Sequence, residues 1–138
     1  MKPRFEGDLD LRHRKEPEDG KWFTLLAPFS YYSENGDWYL VPKWTNTDFA
    51  SIPKPLRMFI SRVGWHSQPA VFHDWLCAKK IVDRRKADKL FKESLKVALK
   101  EYISFASGIK RLWRKKGWIK LRTMYAGVRT YSIATFKR

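Results

Sequence analysis

The chain has 138 residues, about one domain's worth, with 29 Lys+Arg against 14 Asp+Glu and a net charge of +15. At 43% hydrophobic and 16% aromatic residues it is too rich in core-forming side chains for a disordered polymer. The lone cysteine, Cys77, excludes an internal disulfide, and neither a signal peptide nor a membrane span is expected from the hydropathy pattern.

The first half reads as β structure. Residues 11–20 are charged and hold Pro17 and Gly20, which predicts a loop. Short aromatic and aliphatic runs follow at Lys21–Leu26, Phe29–Ser33 and Trp38–Val41. Between the last two lies Glu34-Asn35-Gly36-Asp37, and Asn-Gly at its centre predicts a type I′ turn with positive φ at both residues. Pro42, Pro53 and Pro55 mark turns where the sheet gives way to helices.

The second half reads as helix. Ser67 is placed to cap a helix from Gln68 to about Lys79, with Pro69 in the first turn, where a missing N–H costs nothing. Asp83 is placed to cap a longer one. In that helix Ala87, Leu90, Phe91, Ser94, Ala98, Tyr102 and Phe105 follow helical spacing, with lysines outside them. A break falls near Ser107-Gly108, and Trp118, Leu121, Tyr125, Val128 and Ser132 form a third stripe. These elements predict an α+β fold in a single domain, residues 1–138. A small antiparallel sheet (β-rich 1–50) packs against about three helices (53–138). The Asp48 loop is expected to approach the helix that carries His73.

Charge is divided unevenly along this plan. Residues 1–78 hold 10 Lys+Arg and 10 Asp+Glu, whereas residues 79–138 hold 19 and 4. After Glu101 no acidic residue occurs, against ten basic ones. So one-sided a field attracts nucleic acid, an acidic protein or an anionic membrane surface. Lys110, Arg111, Trp113, Arg114, Lys115, Lys116, Trp118, Lys120 and Arg122 are the candidate binding residues. Their cations can neutralise phosphates, and the tryptophans can stack on bases or anchor a protein partner.

Two clusters could carry chemistry. Thr47–Pro53 is dense in short polar residues. Asp48 and Ser51 there either cap a helical turn near Pro53 or serve as catalytic groups. His66, His73, Asp74 and Cys77 form the second cluster. His73 and Cys77 share a helix face at i, i+4, a spacing suited to a divalent metal. Catalytic candidates are thus Asp48, Ser51, His73 and Asp74, and metal candidates Asp48, His66, His73 and Cys77. A metal is not the favoured reading, and no cofactor is expected. A Ser–His–Asp triad can be drawn from Ser51 or Ser67, His73 and Asp48, but no Gly-x-Ser-x-Gly elbow supports it.

The strings Val41-Pro42-Lys43-Trp44-Thr45-Asn46-Thr47-Asp48-Phe49-Ala50-Ser51-Ile52-Pro53, Ala70-Val71-Phe72-His73-Asp74-Trp75-Leu76, Arg85-Lys86-Ala87-Asp88-Lys89-Leu90-Phe91 and Met124-Tyr125-Ala126-Gly127-Val128-Arg129 occur in this order. They resemble a family of small proteins of unknown function encoded by tailed bacteriophages and prophages. The resemblance spans roughly residues 38–131 and marks Asp48, Ser51, His73, Asp74 and Asp88 as polar positions. It implies a phage source, often among structural genes. The expected function is a virion-associated structural protein of the tail or head–tail region. It would be made in the host cytoplasm and then built into the virion, and it would bind other phage structural proteins through the basic helical face. A metal-dependent hydrolase with a His-Asp centre and a nucleic-acid-binding phage accessory protein are the alternatives.

Overall fold

A computed structural model describes residues 2–18, 20–49, 64–105 and 110–136. Six strands precede three helices: β1 (Arg4–Glu6), β2 (Leu11–Glu18), β3 (Lys21–Leu25), β4 (Phe29–Tyr32), β5 (Trp38–Val41), β6 (Asn46–Thr47), α1 (Ser67–Ala78), α2 (Arg84–Phe105) and α3 (Lys110–Phe136). The fold is α+β. Its strands form two antiparallel three-stranded sheets rather than one, in the orders β1-β4-β5 and β2-β3-β6.

Alternation explains the β4–β5 hairpin. Phe29 and Tyr31 on β4, with Tyr39 and Val41 on β5, are buried, while Trp38 and Leu40 face outward. The connecting turn departs from the type I′ expectation. Gly36 N–H donates to Ser33 O at 3.0 Å, and Ser33 N–H donates to Asp37 O at 2.9 Å. Gly36 takes φ +88°, whereas Asn35 is not among the described residues with positive φ. The turn is therefore centred on Glu34-Asn35, with Gly36 as the left-handed residue of a bulge, the usual form of a three-residue hairpin loop.

The stretch expected to be a loop is strand β2, paired with β3 from Leu11↔Leu25 to Glu18↔Lys21 with a register irregularity between His13 and Glu18. It is an edge strand and mostly exposed, so charged side chains and Pro17 are tolerated along it. The overlooked signal was the dipeptide Asp19-Gly20: Gly20 takes φ +74° between the paired residues Glu18 and Lys21. Pro42 does start a turn, accepting at 2.7 Å from the Thr45 hydroxyl. Pro53 and Pro55 lie outside the described residues, as does the break at Ser107-Gly108.

Helix α1 is buried almost all round, from Pro69 to Leu76, which fits its apolar run Ala70-Val71-Phe72 and Trp75-Leu76. Its N-cap is His66 rather than Ser67. Ser67 opens the helix, and its hydroxyl accepts from Gly64 N–H at 2.9 Å. Asp83 caps α2 as expected, its carboxylate accepting from Lys86 N–H at 2.8 Å.

Two apolar clusters result. The first joins both sheets to α1 and the start of α2, with Leu25, Phe29, Tyr31, Phe49, Phe72 and Leu76 at its centre. The second lies between α2 and α3: Phe91, Leu95 and Leu99 meet Leu121, Met124 and Val128. The helices approach closely where α3 has Gly117, because a Cβ there would collide with Leu99 Cδ1. No helix among the described residues is long and apolar enough to cross a membrane.

Candidate functional site

The polar centre of the molecule is Asp88. It stands in the second turn of α2 and is 0% exposed. His73, one turn before the end of α1, brings Nε2 to 2.8 Å from Asp88 Oδ1. Arg129 of α3 donates from Nη1 to Asp88 Oδ2 at 2.9 Å. Arg84, one turn earlier on α2, holds Nε at 3.8 Å from Oδ1. One carboxylate therefore ties all three helices together. A buried anion is retained only when paired and hydrogen-bonded, and these contacts meet that condition.

The electrostatics follow. Burial disfavours a charge on His73, which is 2% exposed, but the bonds to Asp88 and Cys77 and the nearby charge of Asp74 outweigh it. The imidazole pKa is pushed up to about 9. His73 is thus an imidazolium at neutral pH, the state that pairs with Asp88.

Asp74, next to His73 in sequence, faces elsewhere. It accepts at 2.7 Å from the hydroxyl of Thr47, whose oxygen also accepts from Phe49 N–H at 3.2 Å. Both Thr47 and Asp74 are buried. Through this contact the end of β6, just before Asp48, reaches α1. Phe49 takes φ +60° as the chain leaves the strand.

Cys77 Sγ lies 3.6 Å from His73 Nε2, the same ring nitrogen that faces Asp88. A nucleophile–base–acid relay uses the two ring nitrogens for different partners. Here one nitrogen is shared, so the arrangement is an ion-pair junction rather than a relay. Of the metal candidates, His73 and Cys77 come together, Sγ lying within 3.6 Å of Nε2. Among the described residues no group of three His, Cys, Asp or Glu side chains is placed to hold an ion. Ser51 lies outside the described residues, and Asp48 is partly exposed. A groove of about 300 Å³ is lined by Phe5, Leu9, Trp65, Ser67, Gln68 and Tyr102, among others, and among the described candidates Asp48, His73 and Asp74 are not part of its lining.

The basic candidates divide in two. Lys115, Lys116 and Arg122 are exposed on α3. Lys120 is partly buried, with Nζ 5.6 Å from the centre of the Trp65 ring, and burial lowers its pKa. Trp118 packs on the second apolar cluster rather than standing free. The side chains of Lys110, Arg111, Trp113 and Arg114 lie outside those described, although their backbone is part of α3.

Sequence reasoning did not assign Arg84 and Arg129 to the Asp88 centre, nor Thr47 to Asp74. The i, i+4 spacing of Arg84 and Asp88 was a readable signal for one of them.

The family described as "Protein of unknown function (DUF1353)" matches residues 23–104, from β3 nearly to the end of α2. The uncharacterized protein y4iH of Sinorhizobium fredii (strain NBRC 101917 / NGR234) is 32% identical over 82 residues, which are 57% of this chain. The match covers 34% of that relative's length, so the chain spans about a third of it. No solved structure matches the chain.

Proposed function

The chain is a member of the DUF1353 family, and on that premise we propose that it is a non-catalytic component of a tailed-bacteriophage particle. It docks on an acidic partner through its basic helical half. The observation that carries this reading is the division of charge, 10 Lys+Arg to 10 Asp+Glu over residues 1–78 and 19 to 4 over residues 79–138. A field confined in this way orients the molecule toward a polyanionic surface before contact. The phage assignment rests on the resemblance carried by Thr47–Pro53, His73-Asp74 and Ala87-Asp88.

The Asp88 centre supports binding over catalysis. His73 and Asp88 are 2% and 0% exposed and pair with each other, and Asp88 also accepts from Arg129, contacts that favour a role in locking the helices. A locked helix pair gives α3 a fixed surface on which Lys115, Lys116 and Arg122 are exposed. Such a protein acts at the tail or the head–tail junction, made in the host cytoplasm and carried into the particle by other structural proteins.

Purified particles from an induced lysate test this reading. The chain is expected in them at fixed stoichiometry. Replacing Lys110, Arg111, Arg114, Lys115 and Lys116 by alanine is expected to deplete it from particles while leaving its expression and melting temperature unchanged. Particles that lack the chain overturn the assignment, and undiminished incorporation of the variant overturns the role of the basic face. Stoichiometric zinc or manganese in protein purified without chelator, lost in His73→Ala, would instead favour the metal-dependent hydrolase.

A further inference from the structure

The outward face of α2 carries a cationic line separate from the basic segment of α3. Arg85, Lys89, Lys92, Lys96 and Lys100 follow one another at intervals of four, three, four and four residues. At 3.6 residues per turn these positions fall within an arc of about 80°, and at 1.5 Å per residue the line is about 22 Å long. The buried residues Leu90, Phe91, Ser94 and Ala98 occupy the opposite side of the helix, while Leu95 and Leu99 border the line on the side that packs against α3. Arg85, Lys89, Lys96 and Lys100 are exposed, and Lys92 is partly buried with Nζ 4.7 Å from the centre of the Tyr125 ring.

Glu93 flanks this line and Glu101 follows its last cation. Glu93 accepts at 2.6 Å from the Tyr31 hydroxyl and at 3.0 Å from Glu34 N–H. Asp88 is buried in its own centre. None of the five cations has an ion pair with a carboxylate of the described residues.

We infer that the outer face of α2 is a docking surface for the phosphodiester backbone of nucleic acid. It deepens the acidic-partner reading above, on which it rests, by naming the partner's chemistry. Protein partners are held by buried aromatic and aliphatic anchors, and lysine is depleted where they bind. The exposed residues of α2 are all polar or charged, and every exposed large hydrophobic side chain among the described residues lies on another element or loop. What the face offers instead is a line of cations at helical spacing with Glu93 at its flank, an excess of positive charge that complements a polymer of evenly spaced negative charge. Duplex DNA presents one phosphate per about 3.4 Å of axis on each strand, so a 22 Å line is as long as about six of them. Contacts of this kind position a chain on nucleic acid without reading sequence.

The test is titration of a labelled random-sequence DNA duplex with the full chain, followed by anisotropy over a series of salt concentrations. Binding is expected to weaken linearly on a log–log plot. Lys89→Gln, Lys96→Gln and Lys100→Gln together are expected to reduce the slope by about 2–3, since each phosphate neutralised contributes about 0.9. The three substitutions lie on the solvent face, and an unchanged melting temperature verifies the fold. Lys115→Gln with Lys116→Gln serves as the comparison variant. The inference is overturned if the duplex does not bind, or if the slope responds only to the α3 variant. It is equally overturned if the α2 variant loses binding to phosphatidylglycerol-containing vesicles while duplex binding is unaltered. A chain that enters particles but ignores the duplex refutes this inference alone. Duplex binding by a chain absent from particles refutes the particle reading alone.

Discussion

Replacing Asp88 by asparagine keeps the side-chain shape and removes the charge on which three helices converge. His73 Nε2 at 2.8 Å and Arg129 Nη1 at 2.9 Å would then face a neutral amide, in a site with no solvent exposure at Asp88. Breaking a buried pair by removing one partner costs about 3–5 kcal/mol. The histidine reports on the same centre through the balance of burial against its bonds to Asp88 and Cys77 and the charge of Asp74. Its pKa is about 9 in the folded chain and 6.5 when unperturbed, and at about 1.4 kcal/mol per unit the difference is worth about 3 kcal/mol. Because the folded value is the higher, this stabilisation is complete below pH 6.5 and is lost as pH rises through about 9. Urea unfolding across that window is therefore expected to show wild-type stability falling by about 3 kcal/mol from the His73 contribution. In Asp88→Asn the fall is expected to shrink, because the bond to Asp88 no longer offsets burial and only Cys77 and Asp74 still favour the imidazolium. Titration of the His73 ring resonance by NMR assigns the effect to the residue. A variant that loses less than about 1 kcal/mol, or that keeps the wild-type pH profile, would refute the reasoning.

Three further substitutions probe the frame around this centre. Gly36→Val forces a β-branched residue into φ +88° with open space around its side chain, so its cost of about 1–3 kcal/mol is backbone strain alone, and an unchanged melting temperature would exclude the bulged turn. Gly117→Ala gains helix propensity but drives a methyl group into Leu99. A net loss of about 1 kcal/mol is expected, relieved in a double-mutant cycle with Leu99→Ala, and a stabilised single variant would mean that α2 and α3 can part freely. Thr47→Val removes the hydroxyl that serves both Asp74 and Phe49 N–H, and chemical denaturation should register about 1–3 kcal/mol; a neutral result would show that β6 does not depend on α1.

The elements that could be read from sequence were those in which local pattern and burial agree. Asp83 before a lysine-faced apolar stripe announced α2, and alternating aromatics announced β4 and β5. Strand β2 was hidden because an edge strand need cover only part of one face, and Leu11-Arg12-His13-Arg14-Lys15-Glu16 has no apolar alternation to betray it. In the polar centre, Asp74 looked like the partner of His73, since the two are adjacent. Consecutive residues on a helix point about 100° apart, so they serve different neighbours. The true partner is 15 residues on, across the α1–α2 turn, and Arg129 is 41 beyond Asp88. Such pairings depend on how the helices cross, which periodicity within one helix does not encode. Asp88 itself was marked only through the family resemblance.

The division of the apolar interior into two clusters has a consequence for how the molecule opens. Helix α2 supplies Ala87 and Leu90 to one cluster and Phe91, Leu95 and Leu99 to the other, so it is the spine on which both are built. Helix α3 holds to that spine through Leu121, Met124, Val128 and the Arg129 contact. A fluctuation that lifts α3 must expose the second cluster and break one ion pair, yet it leaves the sheets and α1 closed over the first. Opening free energies within one fold differ in this way by cooperative unit. Amide protons of α3 therefore exchange by a partial opening, before those of β4 and α1, which wait for the whole chain to unfold.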